Sequence, residues 1–419
     1  MQTANLCHND GRMNAAEQDR AKSSVDILLP AQKNTLADGP PRKVFFLVDS
    51  LDIGGSESQA VELALRLSKA RYIVTLGCLR MQGPLLTRLQ GSGISVVEFH
   101  PRGGIDSFRG AWQLLWLATF LRREHFDVVH THDLWSNLMG VPAAFLARAP
   151  VIISSQRDLS HLPWYQGKRR VWLRRIQGLS SMVLANANPI REQLIQEGHL
   201  RPEKVRVVHN GVDVEKFDRP SRDSHIVFAN AGDGKRIVLV GNMTSEVKGH
   251  RVLINAAPMI VREFPDIRFV LVGDGTYRRQ FEAQVGELGL EKHFLFLGRR
   301  EDVPEILTAC DIAVLPSKAE GLPNALLEYL AAGLATVASN VGGNAEIVKD
   351  GVTGLLVPPE NADLLAAAVL RFLRDPDLAR RLGQSGTEYV GQTFSFDRLV
   401  EQTESLYSEL LLRSRAADR

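Results

Sequence analysis

Two successive series of short apolar runs, each run separated from the next by a helical segment, constrain this chain more than any other feature. The first series comprises Lys43–Val48, Ile73–Leu79, Ser95–Phe99, Val128–His130, Val151–Ser154, Met182–Ala185 and Val205–Val208. Asn210-Gly211 then signals a turn, and an irregular polar stretch runs to about Gly234. The alternation restarts with Arg236–Val240, Arg268–Val272, Phe294–Leu297, Ile312–Leu315, Ala335–Ala338 and Leu355–Val357. Continuous apolar runs bounded by turn residues fit strands buried on both faces, and intervening helices make their neighbours parallel through right-handed crossovers. The expected fold is therefore α/β, with two doubly wound, Rossmann-like domains facing a central cleft. The boundaries read as a leader over 1–41, a first domain over 42–212 and a second over 213–394. An amphipathic helix at about 395–412 must dock elsewhere, and the first domain is the expected place.

At 419 residues the chain is long for one core. Its formal charge of +2 gives no global signature of nucleic-acid binding. No run reaches the roughly 18–20 apolar residues of a membrane span. Residues 1–41 lack the basic-then-apolar order of a signal peptide and read as a disordered leader, or as sequence ahead of the true start. Cys7, Cys78 and Cys310 are dispersed without metal or redox spacing, so reduced thiols and a cytoplasmic setting are expected.

The most informative segment for chemistry is Ser317-Lys-Ala-Glu-Gly-Leu-Pro-Asn-Ala-Leu-Leu-Glu-Tyr-Leu-Ala-Ala-Gly333. It follows the strand Ile312–Leu315, places Glu320 in a loop and sets Glu328 eight positions later on a helix. Gly321 and Pro323 mark the helix start, with Pro323 expected at the first helical position, and Gly333 closes the helix. A carboxylate and exposed amides at a helix start suit a polar or anionic ligand.

Other polar groups fall on the same side of the expected sheets. Lys248, near the start of a helix over about His250–Ile260, is positioned to neutralise phosphate. Asp274 lies at another strand end, although Gly-Asp-Gly is also an ordinary turn. Gly54-Gly55 allows a backbone to approach a ligand or simply makes a tight turn. His130 and His132 share one strand face; without a third metal-ligand pattern they read as a substrate contact or as structural histidines. From Leu159 to Arg191 there are six basic and no acidic residues, with Trp164, Tyr165 and Trp172 interleaved. That stretch suits anionic lipid or a phosphorylated acceptor, or else is a solvated helix face. No nucleic-acid-binding module accompanies it.

In order and spacing these residues resemble the retaining glycosyltransferases of family 4, which have the two-domain GT-B fold. The resemblance runs through Gly54-Gly55-Ser-Glu57, Val129-His-Thr-His132, Asn210-Gly-Val-Asp213, Val272-Gly-Asp-Gly275 and Phe296-Leu-Gly298. It continues through Glu320-x(7)-Glu328, Ser339-Asn-Val-Gly-Gly343 with Glu346, Asp350-Gly-Val-Thr-Gly-Leu355 and Pro358. It implies a nucleoside diphosphate sugar as co-substrate, with no divalent metal and no other cofactor. Glu328 would bind the donor ribose, Glu320 the transferred sugar and Lys248 the diphosphate, with His132 near the sugar. Gly54 and Gly55 would border the diphosphate, and Gly321, Leu322 and Pro323 the sugar or diphosphate. Arg300 to Val303 would border the nucleobase, and Asp274 would belong to the donor side. The chain departs from the family at Asn242, where an arginine usually supplies a fixed charge to the leaving diphosphate; Lys248 and helix dipoles, or Arg299 or Arg300, would have to serve. The cationic, aromatic stretch 164–175 points to a glycan or lipid-linked acceptor at the inner face of a membrane, as in exopolysaccharide or envelope synthesis, with peripheral attachment through that stretch. A nucleotide-sugar epimerase of the same fold and a non-catalytic sugar-nucleotide-binding homologue are the competing expectations.

Overall fold

The computed structural model describes residues 40–99, 108–158, 168–217 and 234–417. Most of the expected leader, including Cys7, lies outside the described residues, as do Trp164 and Tyr165. The first half contains β1 (Arg42–Ser50), α1 (Gly55–Arg66), β2 (Tyr72–Arg80), α2 (Leu85–Leu89), β3 (Ser95–Glu98), α3 (Phe108–Glu124) and β4 (Val128–His132). It continues with α4 (Leu134–Ala147), β5 (Val151–Gln156), α5 (Lys168–Gln177), β6 (Met182–Ala185), α6 (Asn188–Gln196) and β7 (Val205–Val207). The second half contains β8 (Arg236–Val240), α7 (His250–Glu263), β9 (Arg268–Val272), α8 (Arg278–Glu287), β10 (Phe294–Gly298), α9 (Val303–Thr308) and β11 (Ile312–Leu315). Then follow α10 (Asn324–Ala331), β12 (Ala335–Ser339), α11 (Asn344–Ile347), β13 (Leu355–Val357), α12 (Ala362–Arg374), α13 (Pro376–Thr393) and α14 (Phe396–Ala417).

The strands form two sheets, ordered β3-β2-β1-β4-β5-β6-β7 and β10-β9-β8-β11-β12-β13. Every pairing is parallel. Both are therefore doubly wound, with the order reversing between β1 and β4 and between β8 and β11. Ligand crevices open at such switch points, beyond the carboxyl ends of the strands.

Period-two alternation sends successive β1 residues to opposite faces. Phe46 and Val48 pack with α1 and α14, whereas Phe45 and Leu47 pack with α3 and α4. Burying each of these phenylalanines completely contributes about 1.5–3 kcal/mol. Helix α14 runs to Ala417, longer than the expected segment, and returns to the first sheet, where Phe396, Leu399, Leu406, Tyr407 and Leu410 join its core. The backbone changes lobes where Val212 N–H donates to the Phe394 carbonyl at 2.7 Å. Cys78 and Cys310 are unpaired thiols, and burial pushes each up to about 12.

Candidate active site

Adjacent strands bring Lys248 and Glu320 together. The loops after β8 and β11 are joined by Lys318 N–H donating to the Val247 carbonyl at 2.8 Å. Gly249 sits at φ +75°, and a Cβ there would lie 1.9 Å from the Pro316 carbonyl oxygen, so only glycine lets the first loop lie this close. Lys248 Nζ then reaches both Glu320 oxygens, at 2.8 and 2.9 Å. Ser317 Oγ donates to Glu320 Oε1 at 2.6 Å. The carboxylate is 7% exposed and fully engaged, consistent with the rule that a buried charge needs a partner and hydrogen bonds.

Helix α10 begins immediately beyond this pair. Pro323 is its N-cap rather than its first helical residue: the extended ψ of 124° puts Pro323 outside the helix, and Asn324 opens it. No side chain caps this end, so its first amide donors stay available to a ligand. Gly333 follows the C-cap at φ +71°, the left-handed position that ends a helix. Tyr329, fully buried, accepts the Val240 N–H at 2.6 Å and pins the helix to the end of β8. That register projects Glu328 into a cavity of about 730 Å³ between the two sheets.

Arg300 and Val303 from the second lobe also line this cavity, as do Ile53, Gln59 and Arg88 from the first. Burial pushes the Glu328 carboxyl up to about 7, with Lys216 pulling the other way. The cation acting on Glu328 is thus Lys216, whereas Lys248 is bound to Glu320. Arg300 is forked onto Asp302, Nε to Oδ1 at 2.7 Å, so much of its charge is already answered.

Helix α1 starts at Gly54 and Gly55 with no N-cap side chain, and the Glu57 carboxylate of its first turn bonds its own backbone amide, so these glycines belong to the helix entry. Asn324 Nδ2 donates to the Gly55 carbonyl at 3.2 Å, which brings the starts of α1 and α10 face to face. A polar network fixes this approach. Asn210 Nδ2 donates to Asn324 Oδ1 at 2.8 Å and to the Leu322 carbonyl at 2.9 Å. Gln59 exchanges two 2.8 Å hydrogen bonds with the Gly211 backbone. Arg157 Nη1 donates to Asn210 Oδ1 at 2.6 Å. Gly321 packs so tightly that a Cβ on it would fall 2.0 Å from the Arg157 carbonyl oxygen.

His132 is 1% exposed, does not line the large cavity, and has neither ring nitrogen hydrogen-bonded among the described residues. Its ring stacks on His130 at 4.1 Å, and burial keeps it neutral by pushing its pKa well below the usual value. His130 lies between Tyr407 Oη and Ser155 Oγ, each 2.8 Å away, as a satisfied structural histidine. Asn242 is exposed in the loop after β8. Asp274 is exposed, bound to Arg278 at 3.3 Å, and stands outside the cavity lining.

Sequence reasoning missed a group of carboxylates beside Gly54-Gly55. Asp49 is the penultimate residue of β1, Glu57 sits in the first turn of α1, and Asp133 occupies the N-cap position of α4 at φ +73°. Asp49 accepts the Ser136 N–H at 2.7 Å, and Asp133 accepts the Ser56 hydroxyl at 2.5 Å. Burial, then the neighbouring Asp133 and Glu57 charges, pushes Asp49 up to about 8; burial foremost pushes Glu57 up to about 7. The available signal was a carboxylate one residue from each strand end, too common to single out. Among the described residues, no group of three or more His, Cys, Asp or Glu side chains is arranged to hold a metal ion.

Two family models match the chain: "Glycosyltransferase Family 4" over residues 53–216 and "Glycosyl transferases group 1" over 221–389. Among curated proteins, the UDP-Gal:alpha-D-GlcNAc-diphosphoundecaprenol alpha-1,3-galactosyltransferase of Escherichia coli is 29% identical over 83% of this chain and 91% of its own. The alpha-D-kanosaminyltransferase of Streptomyces kanamyceticus is 30% identical over 72% of this chain and 83% of its own. Among solved structures, Anabaena Alr3699/HepE in complex with UDP and glucose superimposes with a TM-score of 0.78 at 23% identity, covering 88% of this chain and 99% of that one.

Proposed function

Because the chain belongs to the group 1 glycosyl transferases with a family 4 first half, a GT-B family that transfers sugar from nucleotide sugars, we propose that it retains anomeric configuration and acts on a lipid-linked saccharide or polysaccharide precursor. The observation carrying this reading is the Lys248–Glu320 pair beside the uncapped start of α10, with Glu328 of the same helix in the cavity. The donor diphosphate lies against the starts of α10 and α1, where backbone amides and Lys248 meet its charge. Glu328, once ionised, accepts hydrogen bonds from the ribose hydroxyls, and Arg300 to Val303 border the base. An arriving diphosphate draws Lys248 away from Glu320 and frees that carboxylate to accept hydroxyls of the transferred sugar.

The barrier is departure of the diphosphate from an oxocarbenium-like centre. Preorganised positive charge and positioning in a water-poor cleft lower it. Arg157, one hydrogen-bonded side chain from Asn324, is well disposed to replace the charge missing at Asn242. We read the reaction as metal-independent because protein cations and helix starts together meet the diphosphate charge. His132 serves the sugar side as a neutral imidazole. Asp49, Glu57 and Asp133, beside Gly54-Gly55, hold the acceptor hydroxyl.

The Escherichia coli relative's diphosphoundecaprenol-linked acceptor supports a lipid-linked substrate; the setting we propose for it is exopolysaccharide synthesis at the inner face of the cytoplasmic membrane. The stretch 164–175 would contribute contacts to anionic lipid there. A thermal-shift panel of UDP-, GDP- and ADP-sugars identifies the donor by its stabilisation. Turnover of that donor on diphosphate-lipid saccharides, with the product anomer assigned by NMR, tests the rest. Inversion overturns retention, and transfer only to free sugars overturns the lipid-linked acceptor.

A further inference from the structure

Helix α3 carries an outward face that water-facing helices do not normally show. Its inner side is built from Gly110, Leu117, Ala118 and Leu121. Its outer side exposes Phe108 (88%), Trp112 (67%), Leu115 (52%) and Trp116 (45%) at helical spacing. Single exposed apolar side chains are ordinary, but four large ones on one helix face mark an interaction surface. On α5, Trp172 is 58% exposed and Val171 51%. Both helices pack on α4 along the same face of the first sheet, with Trp135 and Leu138 of α4 half-buried between them.

Resting on the lipid-linked reading above and extending it from 164–175 to helix α3, we propose that the α3–α5 face is a docking surface for an anionic lipid bilayer. Charge selects the partner. Arg109, Arg122 and Arg123 are exposed on α3, and Arg175 lies 5.9 Å from the Trp172 ring centre on α5. The only acid on α3 is Glu124 at its last residue, and α5 has none. Exposed tryptophans flanked by arginines, with acids excluded, form the amphipathic pattern that settles at the headgroup boundary. A second copy of the chain would instead bring two cationic faces together. No helix among the described residues is long and apolar enough to cross a membrane, so the contact is interfacial.

Position gives the surface a use. In a parallel sheet each crossover helix starts near the carboxyl ends of the strands, so Phe108, Trp112 and Trp172 stand at the same end of the first sheet as the cavity. Docking there holds the cleft mouth beside the headgroups.

The test is co-sedimentation of the full chain with phosphatidylcholine vesicles and with vesicles that also contain phosphatidylglycerol. Binding should favour the mixed vesicles, and Phe108→Ser with Trp112→Ser should lower partitioning by at least about tenfold. Arg109→Glu with Arg175→Glu should remove the preference, each lost arginine alone being worth about fivefold. Thermal unfolding and nucleotide release without vesicles should stay at wild-type values in both variants, which separates failure here from failure of the transferase reading. Wild-type protein remaining in the supernatant, or unchanged partitioning of the serine variant, would overturn the proposal. So would a dimer that the serine variant splits while vesicle binding persists, because the face would then join copies of the chain.

Discussion

Lys248 and Glu320 grip each other across neighbouring strand ends, the ammonium nitrogen within 2.9 Å of both carboxylate oxygens. The pair neutralises a buried carboxylate in the free protein and holds a cation in reserve beside a helix start. Its cost and its use are therefore separable by mutation.

Lys248→Ala should lower kcat by about a hundredfold to a thousandfold, the usual loss when one preorganised charge is removed from a transition state. It also leaves Glu320 buried with Ser317 as its one remaining side-chain donor among the described residues, which costs about 1–3 kcal/mol of stability. Lys248→Ala combined with Glu320→Gln should recover much of that stability and none of the rate. Single-turnover kinetics and urea melts of the two variants check both halves. Near wild-type turnover in Lys248→Ala would remove the phosphate role.

Glu328 makes donor binding depend on pH. Burial holds its carboxyl at about 7 in the fold against an ordinary 4.5, so the folded chain binds more protons than the unfolded chain between those values. Stability from this group is complete below the ordinary value and is lost as pH rises through about 7. Nucleotide affinity should run the other way, because ribose hydroxyls donate to the ionised form. Calorimetric titration of the preferred nucleotide from about pH 6 to about pH 8 should show tightening on the alkaline side. Glu328→Gln should flatten both trends, and a persisting slope in that variant would assign the titration to Glu57 or Asp49.

All of the strands were legible in the sequence, because most are buried on both faces and so apolar along most of their length, and the half-buried edge strand β3 keeps Val96 and Val97 between turn residues. Lys248, Glu320 and Glu328 were legible through local grammar, since each sits at a fixed offset from a strand end or helix start. Arg157, Gln59, Asn210 and Asn324 were not legible as a network. Their hydrogen bonds join side chains up to 265 positions apart, and nothing in the flanking residues announces the partner. The outer face of α3 was not legible for a related reason. Apolar residues all round a helix read as core, and only the packed structure shows which side is left uncovered.

Gly321 should tolerate no side chain. A Cβ would lie 2.0 Å from the Arg157 carbonyl oxygen, which is backbone and cannot swing aside as a side-chain end would. Gly321→Ala should destabilise the chain by about 1–3 kcal/mol, as overpacking does. It should also raise KM for the donor by spreading the starts of α1 and α10. Differential scanning calorimetry with and without nucleotide is the check: a melting temperature unchanged in both conditions would mean that the lobes do not stay this close in solution.

Arg157 and Asn242 give a reciprocal test of where the diphosphate finds its second cation. Arg157 Nη1 holds Asn210, which in turn holds Asn324 at the start of α10, so Arg157 is tied to the site by two successive hydrogen bonds. Arg157→Met should lower kcat about tenfold to a hundredfold with a smaller change in nucleotide affinity. Asn242→Arg adds a guanidinium in the loop after β8, on the exposed side of the same site. In the Arg157→Met background it should restore a substantial part of the lost rate, whereas in the wild type it should add little. Rescue through charge would appear in kcat and weaken with added salt, because exposed charges are screened. If Asn242→Arg leaves the Arg157→Met variant as slow as before, Arg157 acts only by bracing the Asn210 network, and Asn210→Ala should then reproduce its loss in full.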